Sequence, residues 1–115
     1  MAISAEELQV LSFFAVEPSS LDKNVSWPYN TYTYDVTQGE LSLNCQLAPA
    51  YQDVRLVLSC GGATLYEMNA IQVRDVRYRK DNSIEFLDIV LTETDVVRLR
   101  VRPSIEISQA SNSET

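Results

Sequence analysis

Histidine, the side chain that does most acid–base chemistry near neutral pH, is absent from this sequence. Its absence removes Ser-His-Asp and Cys-His catalysis, histidine general bases and histidine-based zinc sites. Two cysteines, Cys45 and Cys60, are too few to complete a structural zinc site. Nothing matches a phosphate-binding loop or a dinucleotide fingerprint, and the three glycines, Gly39, Gly61 and Gly62, read as turn formers. Carboxylates remain, and a pair of acids suffices for glycoside hydrolysis. Sixteen acidic residues always bring some pair together, so their number points to no site. A calcium site around Thr92-Glu93-Thr94-Asp95 is read more simply as a solvated turn. The expectation is a protein that is not an enzyme, with no catalytic residues, no metal and no cofactor.

Two groups of residues suit binding better than catalysis. The first is the aromatic stretch Trp27-Pro28-Tyr29-Asn30-Thr31-Tyr32-Thr33-Tyr34. Tyr32 and Tyr34 share one face of a strand, with Trp27 and Tyr29 in the loop before it. Such a patch can anchor a protein or stack on sugar rings. Its structural alternative is closure of one end of the core. The second group is basic. Arg74, Arg77, Arg79, Lys80, Arg98, Arg100 and Arg102 are seven of the nine cationic residues. Alternation places Arg98, Arg100 and Arg102 on one strand face and Arg77 and Arg79 on another. With strand 84–91 between them, Glu85 is expected to be flanked by arginines. Cross-strand ion pairing is the plain reading. A strip gripping a carboxylate-rich or phosphorylated partner is the functional one. The candidate contact residues are Trp27, Tyr29, Tyr32 and Tyr34, then Arg98 and Arg100.

These residues need a framework. Ser4-Ala5-Glu6-Glu7 has the form of a capping box, and Leu8, Leu11 and Phe14 then share a helical face, so a helix is expected over 5–14; the alternation of Leu8, Val10, Ser12, Phe14 and Val16 makes a strand the competing reading. Pro18 stops it. Residues 18–31 read as loop, rich in turn formers. From 32 to 107 the pattern is β. Leu41, Leu43, Cys45 and Leu47 alternate with polar residues, and Val54, Leu56, Leu58 and Cys60 repeat the pattern. A turn at Pro49-Ala50-Tyr51-Gln52 sets Cys60 opposite Leu41, four residues along the strand from Cys45, too far for a disulfide. Gly61-Gly62 marks a hairpin. A three-residue loop, Gly61-Gly62-Ala63, pairs Leu58 with Tyr66 and Leu56 with Met68, which keeps apolar residues on one face. A parity change between Val73 and Val76 suggests a bulge near Arg74-Asp75. Strand 84–91 is apolar on both faces, so it is expected to be central and covered twice. The N-terminal helix is the preferred second cover, and a second subunit, giving a homo-oligomer, the other.

Seven to eight short strands and one helix point to an antiparallel β-sandwich or open barrel. A single domain is expected over 1–108, with a polar tail over 109–115. The net charge of −7 and pI near 4.4 argue against nucleic acid. No apolar run is long enough to span a membrane and the acidic N-terminus lacks a basic leader, which reads as a cytoplasmic protein. The leading functional expectation is a protein-interaction or adaptor module. The alternatives are a carbohydrate or small-ligand domain using the aromatic patch, and an acidic inhibitor of the immunity type that masks a basic toxin.

Overall fold

A computed structural model describes residues 3–27 and 29–111. They form two antiparallel sheets, not closed into a barrel, and one helix, as the alternation implied. The first sheet runs β1 (Ser19–Ser20), β2 (Tyr32–Gln38), β3 (Leu41–Ala48), β4 (Asp53–Cys60) and β5 (Ala63–Ala70). The second runs β6 (Asp75–Asp81), β7 (Ile84–Val90), β8 (Asp95–Arg100) and β9 (Glu106–Ser111). Strands are ordered as in sequence, so each sheet is a meander. The inner faces share one core. Tyr34, Leu43, Cys45, Leu47, Val54 and Leu56 come from the first sheet, and Val76, Leu87, Ile89, Val97 and Leu99 from the second. Among the described residues no helix is long and apolar enough to cross a membrane.

The register of β3 and β4 is the expected one, with Leu41 opposite Cys60 and Cys45 opposite Leu56, and both thiols are free. The glycine hairpin combines two geometries. Cys60 pairs with Ala63 across a two-residue turn, both glycines having positive φ. A register shift next to Leu58/Ser59 then restores the pairs Leu58–Tyr66 and Leu56–Met68. The inner-face requirement therefore fixed the register, and a bulge reconciled it with the tight turn.

Several expectations are corrected. The parity change at 73–76 is not a bulge: β5 ends at Ala70, β6 begins at Asp75, and the chain crosses between sheets there. The helix, α1 (Glu7–Phe14), starts later than expected. Ser4 does not cap it. Its N–H and Oγ donate to the Asp75 carboxylate at 2.7 and 2.5 Å, and the Ala5 N–H donates to the Val76 carbonyl at 2.8 Å. Residues 4–5 thus lie along the edge of β6, and Glu6 caps instead, its N–H bonded to the Gln9 side chain at 2.9 Å. The helix ends at Ala15, which is left-handed, before Pro18 is reached. Residues 109–111 belong to β9 and not to a tail, while 112–115, with residues 1, 2 and 28, lie outside the described residues.

β7 is central, as its apolar pattern required. The helix does not cover its second face. Val10, Phe13 and Phe14 are buried on the inner side, where the Phe14 ring stacks on Tyr34 with centroids 4.5 Å apart. The outer face of β7 is covered by arginine side chains.

Candidate interaction surface

The outer face of the second sheet carries Arg77 and Arg79 from β6, Phe86 and Asp88 from β7, and Arg98 and Arg100 from β8. Asp88, 6% exposed, is the centre of this group. Arg98 donates to both of its oxygens, Nε to Oδ1 at 2.9 Å and an Nη to Oδ2 at 3.0 Å. Arg79 approaches from the other side at 3.7 Å. The guanidiniums of Arg79 and Arg98 lie 4.6 and 5.8 Å from the Phe86 ring centre. Arg100 bonds Glu106 of β9 at 2.5 Å. Hydrogen bonding to Asp88 holds the Arg98 guanidinium more firmly protonated than usual, against the opposing effect of burial. The carboxylate flanked by arginines is therefore Asp88 and not Glu85, because the alternation of β7 turns Glu85 to the side of Leu87 and Ile89.

Glu85 has another role. Its Oε2 accepts hydrogen bonds from the Tyr78 hydroxyl at 2.6 Å and from Ser12 Oγ of the helix at 2.7 Å. Arg102, which lies past the end of β8, bonds Glu85 Oε1 and also donates to the Ser12 carbonyl at 2.9 Å. Arg102 thus leaves the face shared by Arg98 and Arg100 to fasten the helix to the second sheet.

The four aromatic candidates do not form one surface. Tyr34 is 1% exposed, and burial raises its hydroxyl pKa well above the usual range. Tyr32 is buried as well, with its ring 5.0 Å from that of half-buried Trp27. Tyr29, at 70%, is the exposed one. Asn30 organises this loop: its Oδ1 accepts the Asp22 and Thr31 N–H groups at 3.1 and 2.8 Å, and its amide nitrogen donates to the Val25 carbonyl at 3.0 Å. Tyr29 belongs to the loop between β1 and β2 of the first sheet, whereas Arg98 and Arg100 lie on the outer face of the second.

A further feature sits on the outer face of the first sheet. Strand pairing builds two parallel rows there. One is Thr33, Gln46, Arg55 and Asn69; the other is the pair Ala48 and Asp53, continued by Thr31 and Ile71 just beyond the paired ends of β2 and β5. Thr31 and Ala48 are short, whereas Arg55 and Ile71 stand tall, so the sheet surface dips between them. The dip is a hollow of about 230 Å³ lined by Thr31, Gln46, Ala48, Asp53, Arg55, Asn69 and Ile71. Ile71 and Tyr51, in the adjoining turn, are 71% and 70% exposed. Asp53 Oδ1 accepts the Gln72 N–H at 3.1 Å, and Arg55 is held by Glu67 at 2.9 Å. Sequence reasoning missed this hollow although the register that creates it was readable. The missing step was to follow side-chain size along the outward rows.

Charge is unevenly distributed. The first 53 residues hold seven of the sixteen acidic residues and one of the nine basic ones. Among the described residues, none of Glu6, Glu7, Glu17, Asp22, Asp35 and Glu40 forms a salt bridge. Nor do the described residues contain a cluster of ligand side chains able to hold a metal ion.

No family model and no curated protein matches this chain. Among solved structures, the fold is that of a chain in a contact-dependent growth inhibition toxin–immunity protein complex from Klebsiella pneumoniae 342. The two superpose with a TM-score of 0.74 at 21% identity, over 96% of this chain and 99% of the other.

Proposed function

We propose that this chain is a non-catalytic protein-binding module of the immunity type, which binds a protein toxin one to one and holds it inactive. The observation that carries this reading is the end-to-end likeness, 96% of one chain against 99% of the other, to a chain of a toxin–immunity complex. The charge distribution supports it. Carboxylates that no salt bridge compensates favour a cationic partner, and a toxin that acted on nucleic acid would carry a cationic surface. Trp27 and Tyr29 are the loop residues retained as contacts on this reading, because Tyr32 and Tyr34 belong to the core. Arg98 and Arg100 are retained as a second contact region.

Co-expression tests it. The chain is produced in cells together with a panel of contact-dependent growth inhibition toxin domains, those of its own strain included. Growth is expected to be restored against one of them, with a one-to-one complex on size-exclusion chromatography. A folded chain that protects against none and binds none overturns the proposal.

A further inference from the structure

We infer that the hollow on the outer face of the first sheet seats an arginine side chain of the protein partner, its guanidinium on Asp53 and its stem against Ala48 and Ile71. This rests on the immunity-type reading for the identity of the partner, and on the hollow itself for the chemistry.

Three observations select an arginine. First, Asp53 spends one oxygen on the Gln72 N–H, and among the described residues nothing bonds Oδ2. The neighbouring cation, Arg55, is already matched by Glu67, so the hollow keeps the negative charge of Asp53. Second, the side-chain amides of Gln46 and Asn69 have no partner within the chain among the described residues. They add two carbonyl acceptors beside the carboxylate. A planar guanidinium with five donors uses such a set better than an ammonium, which is compact and strongly hydrated. Third, the residues beside Asp53 on its own side of the hollow include apolar ones. Ala48 and exposed Ile71 give the methylene stem a surface to cover. A carboxylate guest would face Asp53 directly, and an apolar guest would strand the two amides. The position suits an interface. Thr31 lies two residues after exposed Tyr29, and exposed Tyr51 lies in the turn two residues before Asp53, so large exposed side chains of the kind that anchor interfaces are close in sequence to its lining.

The test uses two probes on the whole chain, followed by NMR. N-acetyl-arginine amide is expected to give saturable shifts confined to the Gln46 and Asn69 side-chain amides and the Ile71 methyl groups. N-acetyl-citrulline amide has the same shape without the charge and is expected to give none. In Asp53→Asn the arginine probe should bind roughly tenfold more weakly, the effect of one charge-assisted hydrogen bond. Asparagine keeps an acceptor for Gln72, and unchanged amide spectra elsewhere verify the fold. Absent shifts, equal shifts with citrulline, or unchanged binding to Asp53→Asn overturn the inference. Toxin protection is read separately. If growth rescue persists in Asp53→Asn at wild-type affinity, the hollow is not the seat although the immunity reading stands. If the arginine probe binds but no toxin is neutralised, the seat stands and that reading falls.

Discussion

At the scale of residues, Asp88 shows how one buried carboxylate can organise a charged surface. It is 6% exposed and is bonded at both oxygens by Arg98. Removing it leaves Arg98 beside Phe86 with its main partner gone. Asp88→Ala should lower stability by about 1–3 kcal/mol, moderated because water reaches the exposed third of Arg98. Urea denaturation at neutral pH measures this. Arg79→Ala should cost less, since its approach to Asp88 is 3.7 Å and its side chain is more open to solvent. The cysteines give a second test. Cys45 is buried in the core, where burial pushes its thiol up to about 12. Its thiolate is therefore scarce at neutral pH, and reagent access requires unfolding. Iodoacetamide should label Cys60 in the native protein and reach Cys45 only in denaturant, as mass spectrometry of the tryptic peptides would report.

At the scale of elements, Glu85 latches a helix that Val10, Phe13 and Phe14 seat in the core. Burial alone would raise the Glu85 pKa, but the hydrogen bonds from Tyr78, Ser12 and Arg102 outweigh burial and hold it below its ordinary value of 4.5. A carboxyl whose folded pKa is depressed adds stability that is fully present above its unfolded pKa and is lost as pH falls through the folded value. Wild-type stability should therefore drop below pH 4.5 by more than that of Glu85→Gln. The gap between them, about 1–3 kcal/mol at neutral pH, should close in acid. Other carboxylates titrate equally in both proteins, so the difference isolates Glu85. Faster amide exchange over Glu7–Phe14 in Glu85→Gln would confirm that the bond fastens the helix. This latch also marks the limit of what the sequence discloses. The alternation of β3 and β4, the Cys60–Leu41 register and the central place of β7 follow from local hydrophobic periods. The use of Ser4 by Asp75 and of Ser12 by Glu85 joins residues 71 and 73 positions apart. A capping signature cannot reveal that a distant strand competes for the same serine. The crossing between sheets at 71–74 likewise mimics a bulge, because both shift the parity by one residue.

At the scale of the whole molecule, charge is what distinguishes a toxin-masking surface from an ordinary soluble one. A net charge of −7 by itself keeps a small protein soluble. The uneven placement is more specific: the first 53 residues, which supply the helix, β1 to β3 with their connections and part of the hollow, contain Lys23 as their one cation. The aromatics read from sequence as a patch proved to be mostly core, since strand alternation puts Tyr32 and Tyr34 on the same face as Val36. Tyr29 stays outward, and the exposed carboxylates around it in sequence should act over distance. On the proposed immunity function, association with a cationic toxin is steered by long-range attraction, which salt screens over a Debye length of about 8 Å at physiological ionic strength. The association rate should fall by roughly tenfold or more between low and high salt, with the dissociation rate changing much less. Half-buried Trp27 offers a stopped-flow fluorescence signal for this measurement. A salt-independent association rate with a rising dissociation rate would mean that short-range contacts, and not the acidic surface, select the partner. Reversing charge in Glu17→Lys together with Glu40→Lys, outside the helix and its cap, separates the two cases further. Both side chains are exposed and form no salt bridge, so the fold should survive while the salt slope decreases.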